Sequence, residues 1–128
     1  MVARYQSIQN PAKAICDEEW QVRVDLACLY RAAAYYGWTD SIYTHLSARV
    51  PGPKDHFLLN PFGLMFEEVT ASSLVKIDMH GKPVEETSFG INEAGFTIHS
   101  AVHMARPDVK FVAHTHTPNG MAVSAQRS

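Results

Sequence analysis

The sequence predicts an α/β domain in which helices pack on an antiparallel or mixed sheet. Three observations lead there. Apolar residues after Asp17 recur at spacings of four and three, as they do on one face of a helix. Short β-prone runs between residues 46 and 78 are separated by turns rich in proline and glycine. A second helical stretch opens at Asn92 and gives way to a strand-like run that ends in two histidines.

The elements follow in order. Met1 to Cys16 reads as an irregular arm, and residues 17–128 as one domain. Asp17 is placed to cap a helix reaching about Tyr36, with Val22, Leu26, Leu29, Ala33 and Tyr36 on its buried face. Arg23 and Arg31 fall off that stripe and are expected in solvent. Gly37 suits the residue after the helix, where a positive φ is needed. Trp38 to Thr44 is a connection. Leu46–Val50 and His56–Leu59 form a hairpin around the turn chemistry of Pro51 to Asp55. Asn60-Pro61-Phe62-Gly63 is a second turn of defined shape. Thr70 to Ser73 reads as a single helical turn, Leu74 to Asp78 as a strand, Met79 to Pro83 as a turn, and Val84 to Gly90 as loop. Asn92 caps the second helix, with Glu93 in its first turn and Ala94, Ile98, Ala101, Val102 and Ala105 as its apolar face. Arg106-Pro107-Asp108 ends it. Val109 to His116 is the last strand, and Thr117-Pro118 starts another helix.

The composition narrows the function. A chain of 128 residues with 46% hydrophobic and 19% charged residues suits one domain with a real core. Its formal net charge of −2 gives no basic face for nucleic acid and no polybasic patch for an anionic membrane. No apolar run approaches the roughly twenty residues that span a bilayer, and the first residues lack the apolar core of a signal peptide. Two cysteines twelve apart make no disulfide framework, so a reducing cytoplasm is the simpler expectation.

The chemistry centres on Val109 to His116. Side chains alternate along a strand, so His114 and His116 share a face, with Cα atoms about 6.8 Å apart at roughly 3.4 Å per residue. Two imidazoles so placed can converge on one ion, because a Zn–N bond is only about 2.0–2.1 Å. Spacing alone leaves the alternative open that they are polar surface. His99 and His103 share a helix face four apart, but the intervening Ser-Ala-Val lacks the glutamate of HExxH, so core or interface histidines are the better reading. Glu93 is a carboxylate at a helix start, a place that the helix dipole favours for any acid. Gly63 lies in a turn whose N–H groups can meet an anion, which is a weak signal.

Three segments together resemble the class II aldolase/adducin family, and most closely its adducin-like branch. They are Tyr43-Thr44-His45-Leu46-Ser47, the run NPFGLMFEEVTASSLVKID from Asn60 to Asp78, and NEAGFTIHSAVHMARPDVKFVAHTHTP from Asn92 to Pro118. The resemblance runs from about Asp17 to the end. It implies a three-layer α/β/α fold around a largely antiparallel central sheet. It also implies a zinc-dependent enzyme, usually a homotetramer, that cleaves or rearranges phosphorylated keto-sugars through an enediolate, with the metal as Lewis acid. Such enzymes take two zinc ligands from a His-x-His pair, which His114 and His116 match. The third histidine of the family comes from a later strand and has no counterpart before Ser128, so the domain is expected to be incomplete at its C-terminus.

Two further departures shape the expectation. The acid–base carboxylate of those enzymes lies four residues before the position of His99, where this chain has Gly95; Glu93 is then the catalytic candidate. The phosphate-binding residues correspond to Thr44-His45, Phe62-Gly63 and Glu93-Ala94, so His45 and Gly63 are the substrate-binding candidates. Phenylalanine offers no donor and an anionic Glu93 repels phosphate. The expectation is a cytoplasmic zinc-dependent lyase for a small hydroxy-carbonyl substrate, without nucleic acid or membrane partners. The alternative is a non-catalytic adducin-like binding and oligomerisation module.

Overall fold

A computed structural model describes residues 15–52 and 55–127. The N-terminal arm expected over residues 1–16 lies almost wholly outside them, as do the central residues of the hairpin turn. The order is α1 (Asp17–Tyr35), β1 (His45–Arg49), β2 (His56–Leu59), a 3-10 turn (Phe66–Glu68), β3 (Val75–Asp78), α2 (Glu93–Ala105), β4 (Phe111–His114) and α3 (Pro118–Ser124). The four strands form one antiparallel sheet in the order β3-β2-β1-β4. Helix α1 covers one face and α2 the other, so the α/β/α layering holds.

Alternation along each strand builds two cores. Leu46, Ala48, Val50 and Leu58 point towards α1 and join Leu26, Tyr30, Ala33, Phe66, Val69 and Leu74. Phe57, Leu59, Val75 and Ile77 point the other way, towards Phe96 and Ile91. The Tyr30 hydroxyl accepts the Leu46 N–H at 2.9 Å and also reaches the Leu46 carbonyl and Asn60 Oδ1, so it ties α1 to the start of β1.

The caps largely follow the sequence. Asn92 Oδ1 accepts from the N–H groups of Ala94 and Gly95 at 3.0 and 3.2 Å. Thr117 Oγ1 accepts from Gly120, with Pro118 as the first helical residue. Gly37 adopts φ 69° after α1. Asp17 is not the cap of α1: Cys16 holds that position without a side-chain hydrogen bond, and Asp17 stands in the first turn. Thr70 to Ser73 is a hydrogen-bonded turn, and the helical turn lies earlier, at Phe66–Glu68.

Arg23 corrects the expectation of a solvated residue. It is 2% exposed, and the buried stripe of α1 is Trp20, Arg23, Leu26, Tyr30 and Ala33. Its guanidinium donates to Glu19 and to the Leu74 carbonyl at 2.9 Å each, and to Glu85. Lys76 Nζ meets the other Glu19 oxygen at 2.8 Å. A charge enters a core when its donors are matched in this way. Tyr36, expected on the buried stripe, is 63% exposed.

Helix α2 is inverted relative to its apolar pattern. Gly95, His99, Ser100 and His103 face the sheet, while Ala94, Ala101 and Ala105 are exposed and Ile98 is 48% exposed. The polar face goes inward because the sheet offers it hydrogen-bond partners, and because Gly95 lets the helix approach closely.

Candidate metal centre

Four elements converge at one end of the sheet. The register pairs His45 with His114 across β1 and β4, and Ser47 with Val112. Both sites on β1 therefore face α2. The last strand is shorter than expected: β4 ends at His114, and His116 lies in the segment before α3. The pair converges nevertheless. His114 Nε2 and His116 Nε2 are 3.1 Å apart, with ring centroids at 4.8 Å.

That separation fits chelation. Two nitrogens bound tetrahedrally to zinc at about 2.0–2.1 Å lie about 3.3–3.4 Å apart. The second nitrogen of His116, Nδ1, is 2.8 Å from Asp40 Oδ2. A carboxylate on the far nitrogen is the usual partner of a metal-bound imidazole. The second nitrogen of His114, Nδ1, is buried and has no hydrogen-bond partner among the described residues. No three His, Cys, Asp or Glu side chains of the described residues converge as a complete ligand set. The pair has the spacing of two ligands, with no complete set around it among the described residues.

Behind the pair runs a chain of buried polar groups. The His45 and His114 rings are 4.7 Å apart. His45 Nδ1 is 2.9 Å from His99 Nε2. Ser47 Oγ bridges His99 Nδ1 at 2.6 Å and His103 Nε2 at 2.9 Å. A hydroxyl has one proton, so the two imidazoles at Ser47 play opposite roles. His103 Nδ1 is buried without a hydrogen-bond partner among the described residues. The tautomer of His103 sets the direction in which the protons of the whole chain point, through Ser47 to His99 and His45.

The cluster is uncharged near neutral pH. Burial, followed by the neighbouring imidazoles, lowers His45 to about 4 and His99 to about 3. Burial and then Arg49 lower His103 to about 4. Burial and then His116 lower His114. Neutral imidazole is the form that binds a metal.

The sequence candidates separate here. His45, His114 and His116 lie together. Glu93 is solvent-exposed at the start of α2, and its carboxylate makes no hydrogen bond or ion pair with a described residue. Gly63, at φ 93°, is exposed in its turn, and a Cβ there would meet nothing within 4 Å. His99 and His103 are core histidines, as expected, but they are wired to the site. Asp40, Ser47 and the contact of Gly95 with His45 are additions. Only the carboxylate itself could have marked Asp40 in the sequence, since 76 positions separate it from His116. An open cleft of about 540 Å³ is lined by Tyr36, Trp38, Thr115, Thr117, Pro118 and Asn119, and by neither histidine of the pair.

Comparison with known proteins adds the lineage. The sequence profile of the Class II Aldolase and Adducin N-terminal domain matches residues 24–128. A crystal structure of an aldolase II superfamily protein from Pseudomonas syringae is 60% identical, with a TM-score of 0.84, over 88% of this chain and 45% of that one. The structure of L-fuculose 1-phosphate aldolase from Glaciozyma antarctica is 35% identical, with a TM-score of 0.79, over 91% of this chain and 49% of that one. Alpha-adducin of Mus musculus is 52% identical over 83% of this chain and 15% of its own length. The chain spans less than half the length of each of these relatives.

Proposed function

The chain belongs to the class II aldolase and adducin family, and from that premise we propose that it supplies two zinc ligands and the surrounding polar framework of a lyase for a small hydroxy-carbonyl compound. The observation that carries this reading is the 3.1 Å approach of His114 Nε2 to His116 Nε2. A third ligand would come from outside the described residues, since zinc sites generally use at least three protein ligands. Bound zinc would polarise a substrate oxygen as a Lewis acid.

The chain's own residues would do the rest. His114 and His116 hold the ion in their neutral form. His45, beside His114, is fixed by its contact with His99, which Ser47 links to His103, so a polar imidazole is held next to the pair. Position 95 has no carboxylate to move a proton, and Glu93 stands in solvent at the helix start. The positions that correspond to the family's phosphate-binding residues disfavour phosphate: Phe62 offers no donor, and the Glu93 carboxylate is repulsive. The substrate is therefore an uncharged or weakly charged hydroxy-carbonyl compound. The same reading makes the protein a cytoplasmic homotetramer. Two free, exposed cysteines suit a reducing compartment, and no helix among the described residues is long and apolar enough to cross a membrane.

One observation favours a second reading, a binding and oligomerisation module of the adducin kind: Gly95 stands where the enzymes carry their carboxylate. Metal analysis separates the two. A version extended at the C-terminus to the length of the relatives should hold about one Zn²⁺ per chain, and His114→Ala with His116→Ala should abolish it. Metal-replete extended protein that contains no zinc would sink the enzyme reading.

A further inference from the structure

We propose that Asp40 is a positioning residue for the metal pair, with its carboxylate holding His116 in the one tautomer that turns Nε2 towards His114. This rests on the metal reading above and adds to it the residue that organises the ligands.

The geometry is specific. Asp40 Oδ2 lies 2.8 Å from His116 Nδ1, while Nε2 of the same ring faces His114 Nε2 at 3.1 Å. A carboxylate only accepts, so Nδ1 is the protonated nitrogen and Nε2 keeps its lone pair for a ligand. The side chains of His116 and Asp40 are 32% and 52% exposed. An ion pair this open to water adds little to stability. Its effect is on orientation and on which nitrogen holds the proton.

The loop is built to present the carboxylate. The Tyr43 N–H donates to the Asp40 carbonyl at 2.9 Å, which closes a turn. Ser41, within that turn, adopts φ 48°, and it is the one non-glycine residue with positive φ among those described. Serine pays a conformational penalty there that the surrounding structure must offset. On the other side, His114 Nδ1 has no hydrogen-bond partner among the described residues. Asp40 is thus the group through which the pair is oriented.

Two measurements on the chain extended at the C-terminus to the length of the relatives test the proposal. Zn²⁺ affinity is measured by competition with a chromophoric chelator for wild type, Asp40→Asn and Asp40→Ala. The expected loss is about 10- to 100-fold, as for other carboxylate partners of metal-bound histidines. Long-range ¹H–¹⁵N NMR on metal-free protein reads the tautomer: Nδ1–H at His116 in wild type, shifted towards Nε2–H in Asp40→Ala. Unchanged melting curves show that the exposed substitutions leave the fold intact. Equal zinc affinity in all three proteins overturns the proposal. Weakened zinc binding with an unchanged tautomer also overturns it, since Asp40 then acts through charge alone. An extended wild-type chain that binds no zinc removes the metal reading itself, which is a different failure.

Discussion

A Cβ at position 95 would lie 2.6 Å from Cδ2 of His45 and 2.9 Å from its Nε2, so the imidazole of His45 fills the space that a side chain at 95 would need. The two positions are one steric unit. A carboxylate at 95 and an imidazole at 45 in its present rotamer exclude each other.

Gly95→Ala should therefore destabilise the fold by about 1–3 kcal/mol, the usual range for overpacking. Gly95→Glu should cost more. His45→Ala leaves His99 short of a partner and is costly alone, but in combination it should relieve much of the Gly95→Glu penalty. A double-mutant cycle from urea unfolding should return a coupling above about 1 kcal/mol. Additive costs would show that the two side chains do not compete for the same space.

Acid should weaken the fold well before the carboxylates titrate. His99 and His103 are fully buried, and their folded values lie near 3 and near 4, against about 6.5 in an unfolded chain. Between those values the unfolded state binds more protons, so stability is complete above about pH 6.5 and falls as pH falls. Each histidine contributes a slope approaching about 1.4 kcal/mol per pH unit within that window. Urea midpoints at pH 7.5, 6 and 5 should decline steadily. A level profile across that range would mean that these imidazoles become protonated in the folded state.

Arg23 and Arg31 share a helix but should differ sharply. Arg23→Ala leaves Glu19 buried with Lys76 as its remaining ion-pair partner, and should cost about 3–5 kcal/mol. Arg31 is exposed and makes one long contact, 3.4 Å to the Val69 carbonyl, so Arg31→Ala should change stability by no more than about 0.5 kcal/mol. Chemical denaturation of the two variants checks this, and similar midpoints would deny Arg23 its buried role.

Tyr30→Phe should cost about 1–3 kcal/mol, because it leaves the Leu46 N–H and Asn60 Oδ1 buried without the hydroxyl. The loss should appear with an unchanged m-value, since the same surface is exposed on unfolding. A neutral substitution would mean that water replaces the hydroxyl.

The sequence by itself determined the order of elements, most of the caps and the His-x-His pair. Those features are local: a cap needs one side chain within a turn of its donors, and alternation fixes which residues share a face. It also carried the family resemblance through three ordered segments. It misjudged Arg23 and the buried face of α2, because apolar spacing assumes that polar residues stay outside. Tertiary structure decided otherwise, by giving Arg23 two carboxylates and a carbonyl, and by giving His99 and His103 the hydroxyl of Ser47. It also decided that Asp40 meets His116 and that His45 occupies the room beside Gly95. Apart from Glu19 and Arg23, four apart on α1, these contacts join residues 50 or more positions apart, and no local pattern encodes them. They exist because the register of β1 against β4 and the seating of α2 bring those side chains to one end of one sheet.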